Sequence, residues 1–279
     1  MHGGLVCDTN IWYGIAAGQI DPLALKSSGH ALLACMVNFL ELTSGMDVES
    51  FSRRRDAARA IQAWADDYLP DNERHIAALW SHPAGAMMVD VQRAINIVAE
   101  APSIQKLWTG YKDKNGKMRS VGMHTLVDAR RQRYRKFLID IENVCEKVQP
   151  GYRAARTAGK VRLIKKDQRK ALERFLFDPA NLDRLATCTR DRLASAFRVS
   201  HPPTPVECTN ARLALDTYVR GYCGYLVYSA SEAPPDHNDL GDVEFLLYVQ
   251  DGRRFFTKEK RWLRVAEIAG LTSVITNAP

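Results

Sequence analysis

Five carboxylates stand where an α/β chain could use them for chemistry: Asp8, Glu41, Asp239, Asp242 and Glu259. Asp8 closes the apolar run Leu5-Val6-Cys7. Glu41 lies on the helical stretch that follows a second run, Ala31-Leu32-Leu33-Ala34-Cys35-Met36. Asp239 and Asp242 are three apart where a helix starts, so both can face one side. Glu259 comes two residues past Thr257, which ends the strand-like run Arg253-Arg254-Phe255-Phe256-Thr257. In an open parallel sheet, ligands bind beyond the carboxyl ends of the strands, and all these acids fall there or at the adjacent helices. Gathered carboxylates repel one another and are costly to desolvate. A hard divalent cation relieves the conflict, and oxygen-only ligands suit Mg²⁺ or Mn²⁺. Such a site lowers the pKa of bound water and holds a phosphodiester in line, which is the chemistry of metal-dependent phosphodiester hydrolysis. Each acid also has a plainer role open to it. Asp8, Asp239 and Asp242 could cap helices, and Glu41 and Glu259 could sit in solvent.

The elements that must position these acids follow from hydrophobic rhythm. Residues 1–50 alternate strand, helix, strand, helix, and residues 236–279 read as helix (242–248), strand (253–257), helix (259–269, closed by Gly270) and strand (273–276). This is the pattern of a parallel α/β sheet. Residues 51–235 read as nearly all helix, with breaks at Ser81-His82-Pro83, at Pro150-Gly151, at Asp178-Pro179 and at the proline cluster 201–205. The simplest topology joins both termini into one sheet, with 51–235 as a helical insertion. Tyr218, Tyr222 and Tyr225 share one helical face, either as a packing stripe or as a platform for stacked bases.

The 279-residue chain is long enough to fold without a metal or disulfide staple. Its composition, 46% hydrophobic and 25% charged, excludes a disordered or fibrous chain. None of the six cysteines forms a CxxC pair, and the longest apolar stretch, 31–42, is broken by Asn38 and Glu41. A reduced, cytoplasmic, membrane-free protein is expected. The net charge of +7 is unevenly placed: residues 111–174 carry 19 Lys and Arg against 7 Asp and Glu. Within that segment Arg130, Arg131, Arg133 and Arg135 form one cluster and Lys165, Lys166, Arg169 and Lys170 another. They are expected to contact the phosphate backbone of RNA, which positions a strand without reading its sequence.

Taken in order, these segments resemble the motifs of PIN-domain nucleases. Leu5-Val6-Cys7-Asp8-Thr9-Asn10 looks like their opening strand. Val37-Asn38-Phe39-Leu40-Glu41-Leu42-Thr43-Ser44-Gly45 resembles their second motif. The stretch from Asn238 to Tyr248 resembles the third, with Asp242 in the place of its acid and Asp239 one turn away. Phe255-Phe256-Thr257-Lys258-Glu259 looks like the fourth. The likeness covers about a third of the chain. Glu259 departs from the family's usual Asp, and Val37 stands where Ser or Thr often precedes the helix. The resemblance implies a PIN-like parallel sheet and a metal-dependent endoribonuclease. It implies Mg²⁺ or Mn²⁺ held by Asp8, Glu41 and Asp242, with support from Asp239 and Glu259. Asn10 and Thr257 would position Asp8 or the substrate. The family frequently acts as toxins or defence effectors, so an inhibitory protein or a second copy of the chain joins RNA as an expected partner. Two other readings stay open: a non-catalytic nucleic-acid-binding or assembly module with a decayed site, and a structure-specific DNA nuclease. A phosphatase of the haloacid-dehalogenase type would need an acid where Asn10 stands, and the chain has no GxGxxG and no P-loop.

Overall fold

The computed structural model describes residues 3–44, 47–70, 90–119, 123–158, 163–196, 205–233, 235, 239–250 and 252–278. The first elements are β1 (Gly4–Cys7), α1 (Thr9–Ala16), α2 (Pro22–Ser27), β2 (Ala31–Ala34), α3 (Met36–Leu42), α4 (Phe51–Trp64) and β3 (Asp67–Tyr68). There follow α5 (Val91–Glu100), α6 (Ile104–Thr109), a hairpin of β4 (Tyr111–Lys112) and β5 (Met118–Arg119), α7 (Met123–Val148) and α8 (Tyr152–Thr157). The rest are α9 (Lys166–Leu176), α10 (Pro179–Ala196), α11 (Pro205–Ser231), α12 (Asp239–Phe245), β6 (Arg254–Phe256), α13 (Lys260–Ala269) and β7 (Ile275–Thr276).

The main sheet has five strands, all parallel, in the order β3-β2-β1-β6-β7. Both termini therefore enter one sheet, as the rhythm of the sequence suggests. Strand alternation sorts the side chains onto two faces. Leu5 and Cys7 of β1, Leu32 and Ala34 of β2 and Phe256 of β6 point into a core shared with α1, α3, α4 and α5. Val6, Leu33 and Phe255 point into the opposite core, shared with α11, α13 and the helices from α7 to α10. Burying both faces is what makes these strands short continuous apolar runs.

Three differences from the sequence reading have physical causes. The sheet does not stop at residue 50: β3 extends it beyond β2, and Phe51, Ala57, Ile61, Ile95 and Val98 fill the same core as Leu5. The helical zone packs on both faces of the sheet, joining α1 and α3 on one side and α13 on the other. The helix expected over 242–248 starts at Asp239 and ends at Phe245, and Leu246–Tyr248 tighten into a 3₁₀ turn as the chain bends back to the sheet. Two tyrosines of the stripe are packing residues: Tyr218 and Tyr225 are buried, and Tyr225 stacks on Trp262 at 5.8 Å. The breaks at 81–83 and 201–204 lie outside the described residues. No helix among the described residues is long and apolar enough to cross a membrane.

Candidate active site

Strand order reverses beside β1. From β1 the chain goes outward to β2 and β3, then returns to place β6 on the other flank. In open α/β sheets this switch point opens a crevice at the strand carboxyl ends. The register pairs Cys7 with Phe256, so the next residues, Asp8 and Thr257, leave the sheet side by side.

Asp8 is 1% exposed and is buried at the carboxyl end of β1, beside Thr9 and Asn10, which line the crevice. Its Oδ1 accepts from the backbone N–H of Asn10 at 3.2 Å, capping α1, and its Oδ2 accepts from the Thr257 hydroxyl at 2.7 Å. The plain capping role and the site role thus fall on different oxygens of one carboxylate. Thr257 Oγ1 in turn accepts from the backbone N–H of Glu259 at 3.1 Å, and the Asn10 side-chain amide donates to Glu259 Oε1 at 2.6 Å. Asn10 and Thr257 therefore join the first and fourth motifs through two short paths.

Glu41 is on the second turn of α3, whose start is fixed by Asn38. The Asn38 side chain accepts from the N–H of Cys35 at 2.9 Å and donates to Cys7 O and Thr9 Oγ1, both at 3.0 Å. One buried amide thus ties together the ends of β1 and β2 and the starts of α1 and α3. Arg54 of α4, also buried, donates to Ser44 O and Asp47 O at 2.6 Å and anchors the far end of α3. Neither role was assigned from sequence; the signal for Asn38 was its interruption of an apolar run.

Asp242 comes from α12, which packs on α3. Burial pushes its carboxyl well above the usual carboxylate range, and the charges of Glu41, Asp8 and Glu259 push it further. Burial likewise raises Asp8 to about 6, opposed by the Thr257 hydroxyl and aided by the charge of Glu259. The charges of Glu41, Asp8 and Glu259 therefore reach Asp242, and that of Glu259 reaches Asp8. Asn10, Tyr13, Glu41, Asp242 and Glu259 line a crevice of about 320 Å³, with Arg53 exposed at its edge. The Arg53 guanidinium lies 4.6 Å from the Tyr13 ring centroid, and burial holds that phenol up at about 12.

Asp239 goes elsewhere. It is fully buried, accepts from the Tyr225 hydroxyl and pairs with Arg261, and it does not line the crevice. Arg261 also reaches Glu259 at 3.1 Å and Asp242 at 3.6 Å. Burial works against the Arg261 charge, but Asp239 and Asp242 more than offset it and hold the guanidinium charged. Sequence reasoning gave Arg261 no role, although it stands two residues after Glu259.

The donor set fits a hard cation. It is all carboxylate oxygen, and Oδ2 of Asp242 is buried and accepts no hydrogen bond. The placement is more open than a finished cage: among the described residues, no three His, Cys, Asp or Glu are grouped as metal ligands.

The basic clusters divide. Arg135, Lys165, Lys166 and Lys170 are exposed. Arg169 is not available to a phosphate: it donates to Glu173 at 2.7 Å and to Glu232 at 2.6 Å, and Glu232 is shared with Arg264. The side chains of Arg130, Arg131 and Arg133 lie outside the described residues. Compared with known proteins, the chain matches no family model, no curated protein and no solved structure.

Proposed function

We propose that the chain is a PIN-like, divalent-metal-dependent endoribonuclease. The observation that carries this reading is the gathering of Asp8, Glu41, Asp242 and Glu259 from four separate segments at the switch point of a parallel sheet. Two of them, Asp8 and Asp242, have carboxyls raised by burial and, secondarily, by neighbouring acids. Raised carboxyls lining or flanking a crevice support a functional reading of the site.

Asp8, Glu41 and Asp242 would hold Mg²⁺ or Mn²⁺. When bound, the ion supplies a low-pKa water and stabilises the leaving oxygen. The chain's own residues do the positioning. Thr257 and the N–H of Asn10 fix both oxygens of Asp8. Asn10 and Arg261 hold Glu259 at the crevice wall, and Arg261 places part of its charge beside Asp242. Asp239 with Tyr225 positions Arg261 from behind. Arg53, exposed at the mouth on Tyr13, offers a cation to a phosphate of the strand. The buried thiols of Cys7, Cys35 and Cys223, which form no disulfide, support a reducing, cytoplasmic setting.

A second reading has its own observation. Arg261 already neutralises part of the acid cluster, which favours a nucleic-acid-binding module without catalysis. Incubating the chain with labelled RNA and labelled DNA, in Mn²⁺ and in EDTA, separates the readings. Mn²⁺-dependent cleavage of RNA supports the ribonuclease. Cleavage of DNA alone supports a DNA nuclease. Binding without cleavage supports the module.

A further inference from the structure

A second cleft, of about 550 Å³, opens among α7, α9, α10 and α11 and shares no lining residue with the acidic crevice. Its size is that of a small-molecule site, for which about 300–1,000 Å³ is usual. Its walls are apolar and aromatic. Tyr218 and Tyr222 stack in the wall with ring planes 9° apart, and Phe175 stands at the edge 61% exposed. A bare aromatic ring at the lip of a cleft is a surface on which another flat ring can stack.

The mouth is cationic. Lys136, Lys147 and Arg184 are exposed there against the one acid Asp140, and none of the three enters an ion pair among the described residues. Two amides add opposite polarity. Oδ1 of Asn143, which lines the cleft, accepts from Arg153, a bond that does not use its amide N–H group. Nδ2 of Asn181 donates to the carbonyl of Phe175 at 2.7 Å, which leaves its oxygen to accept. A donor and an acceptor beside an aromatic surface match the edge of a nucleobase, and the cations match the phosphate attached to it. An acyl chain would use the apolar wall but neither amide.

We propose that this cleft binds a nucleobase together with its phosphate, either as a free nucleotide or as an unstacked residue of an RNA strand. The base stacks on Phe175 and Tyr222, its edge meets Asn143 and Asn181, and the phosphate meets Lys147 and Arg184. This site does not depend on the acidic crevice being catalytic, and its test reads no cleavage.

Cys188 lines the cleft as an exposed free thiol, while Cys7, Cys35, Cys145 and Cys223 are buried. Alkylation of Cys188 in the full chain by N-ethylmaleimide, followed by peptide mass spectrometry, reports occupancy. The probes are AMP, UMP, a single-stranded oligoribonucleotide, ribose 5-phosphate and decanoate. Nucleotides or the oligonucleotide should slow alkylation several-fold. AMP and UMP protecting alone identify a free-nucleotide site; the oligonucleotide protecting alone identifies a strand site. Phe175→Ala and Arg184→Glu, both at exposed positions, should each weaken protection about tenfold, taken as the ratio to that variant's own unprotected alkylation rate, with the circular dichroism unchanged. The proposal is overturned if neither nucleotides nor the oligonucleotide protect, or if decanoate protects in their place. It is also overturned if ribose 5-phosphate protects as well as AMP, or if both variants are protected like the parent.

Discussion

The hydroxyl of Thr257 donates to Oδ2 of Asp8 across 2.7 Å, although 249 residues separate the two in sequence. The bond follows from register: β1 and β6 run parallel with Cys7 opposite Phe256, so the next residue on each strand meets its neighbour. It is a buried, charge-assisted contact to a carboxyl that burial otherwise disfavours. Thr257→Val keeps the shape and removes the donor. Its expected effect is a further rise of the Asp8 pKa above about 6 and a loss of about 1–3 kcal/mol of stability near neutral pH. Urea unfolding reads the loss, and Thr257→Ser should recover most of it. A Val variant as stable as the parent would show that the bond contributes nothing.

The raised acids make stability depend on pH with an unusual sign. A carboxyl whose folded pKa lies above its unfolded value binds more protons in the folded state. Its contribution is complete below the unfolded pKa and is lost as pH rises through the folded one. For Asp8 the window runs from 3.8 to about 6, and the loss is on the order of 3 kcal/mol at about 1.4 kcal/mol per pH unit. Asp242 shifts in the same direction and adds to it. In EDTA the melting temperature should therefore fall as pH rises through this window, and Mn²⁺ should restore it above the window but not below. Asp8→Asn should flatten the profile. A metal-free chain whose stability rises across the same window would contradict the burial and crowding of these acids.

Asp239 and Asp242 sit on one helix and should behave differently. Asp239→Asn leaves Arg261 with less of its charge partner inside the protein, at a cost of about 3–5 kcal/mol, with little change in Mn²⁺ affinity. Asp242→Asn should lower Mn²⁺ affinity at least tenfold, a difference of about 1.4 kcal/mol, while stability holds or rises. Calorimetric titration with parallel thermal melts separates the two. Equal losses of metal affinity in both variants would place Asp239 among the ligands after all.

Part of this arrangement is written plainly in the sequence. Leu5-Val6-Cys7 and Arg254-Phe255-Phe256 read as buried strands because both their faces are covered, and each delivers its polar residue at the carboxyl end. That rhythm also puts Asp8 and Thr257 at neighbouring strand ends, with Glu41 on the helix after β2. What does not follow is which way α12 turns. Asp239 and Asp242 share a helix, and only the packing of α12 against α3 and α11 sends one to the crevice and the other to Tyr225 and Arg261. Asp67 and Tyr68 of β3 are too few to show alternation, so the sheet's edge and the true reach of its core were hidden. Arg169 looks like any other surface cation in sequence; its partner Glu232 is 63 residues away.

The exposed cations of the basic segment should govern binding rather than chemistry. Reversing Lys165, Lys166 and Lys170 together should weaken RNA binding. The slope of log affinity against log salt should shrink by about one for each phosphate that is no longer neutralised. Arg169→Glu, in contrast, should act through stability, because it sets three acids together in place of a paired cation. Salt titrations by fluorescence anisotropy read the first effect and thermal melts the second. An unchanged slope in the triple variant would make this face a solvated scaffold.

Closest to the main proposal is cleavage of labelled RNA by the parent and by Asp8→Asn, in Mn²⁺ and in EDTA. Asp8→Asn keeps the size of the side chain and removes the charge that would help hold the ion. A metal held by Asp8 predicts cleavage by the parent in Mn²⁺, none in EDTA, and a loss in the variant of at least about a thousandfold, roughly 4 kcal/mol of barrier. RNA binding by the variant should be equal or tighter, since one charge that repels phosphate is gone. Cleavage by Asp8→Asn at the parent's rate, or by the parent in EDTA, would contradict the metal-nuclease reading.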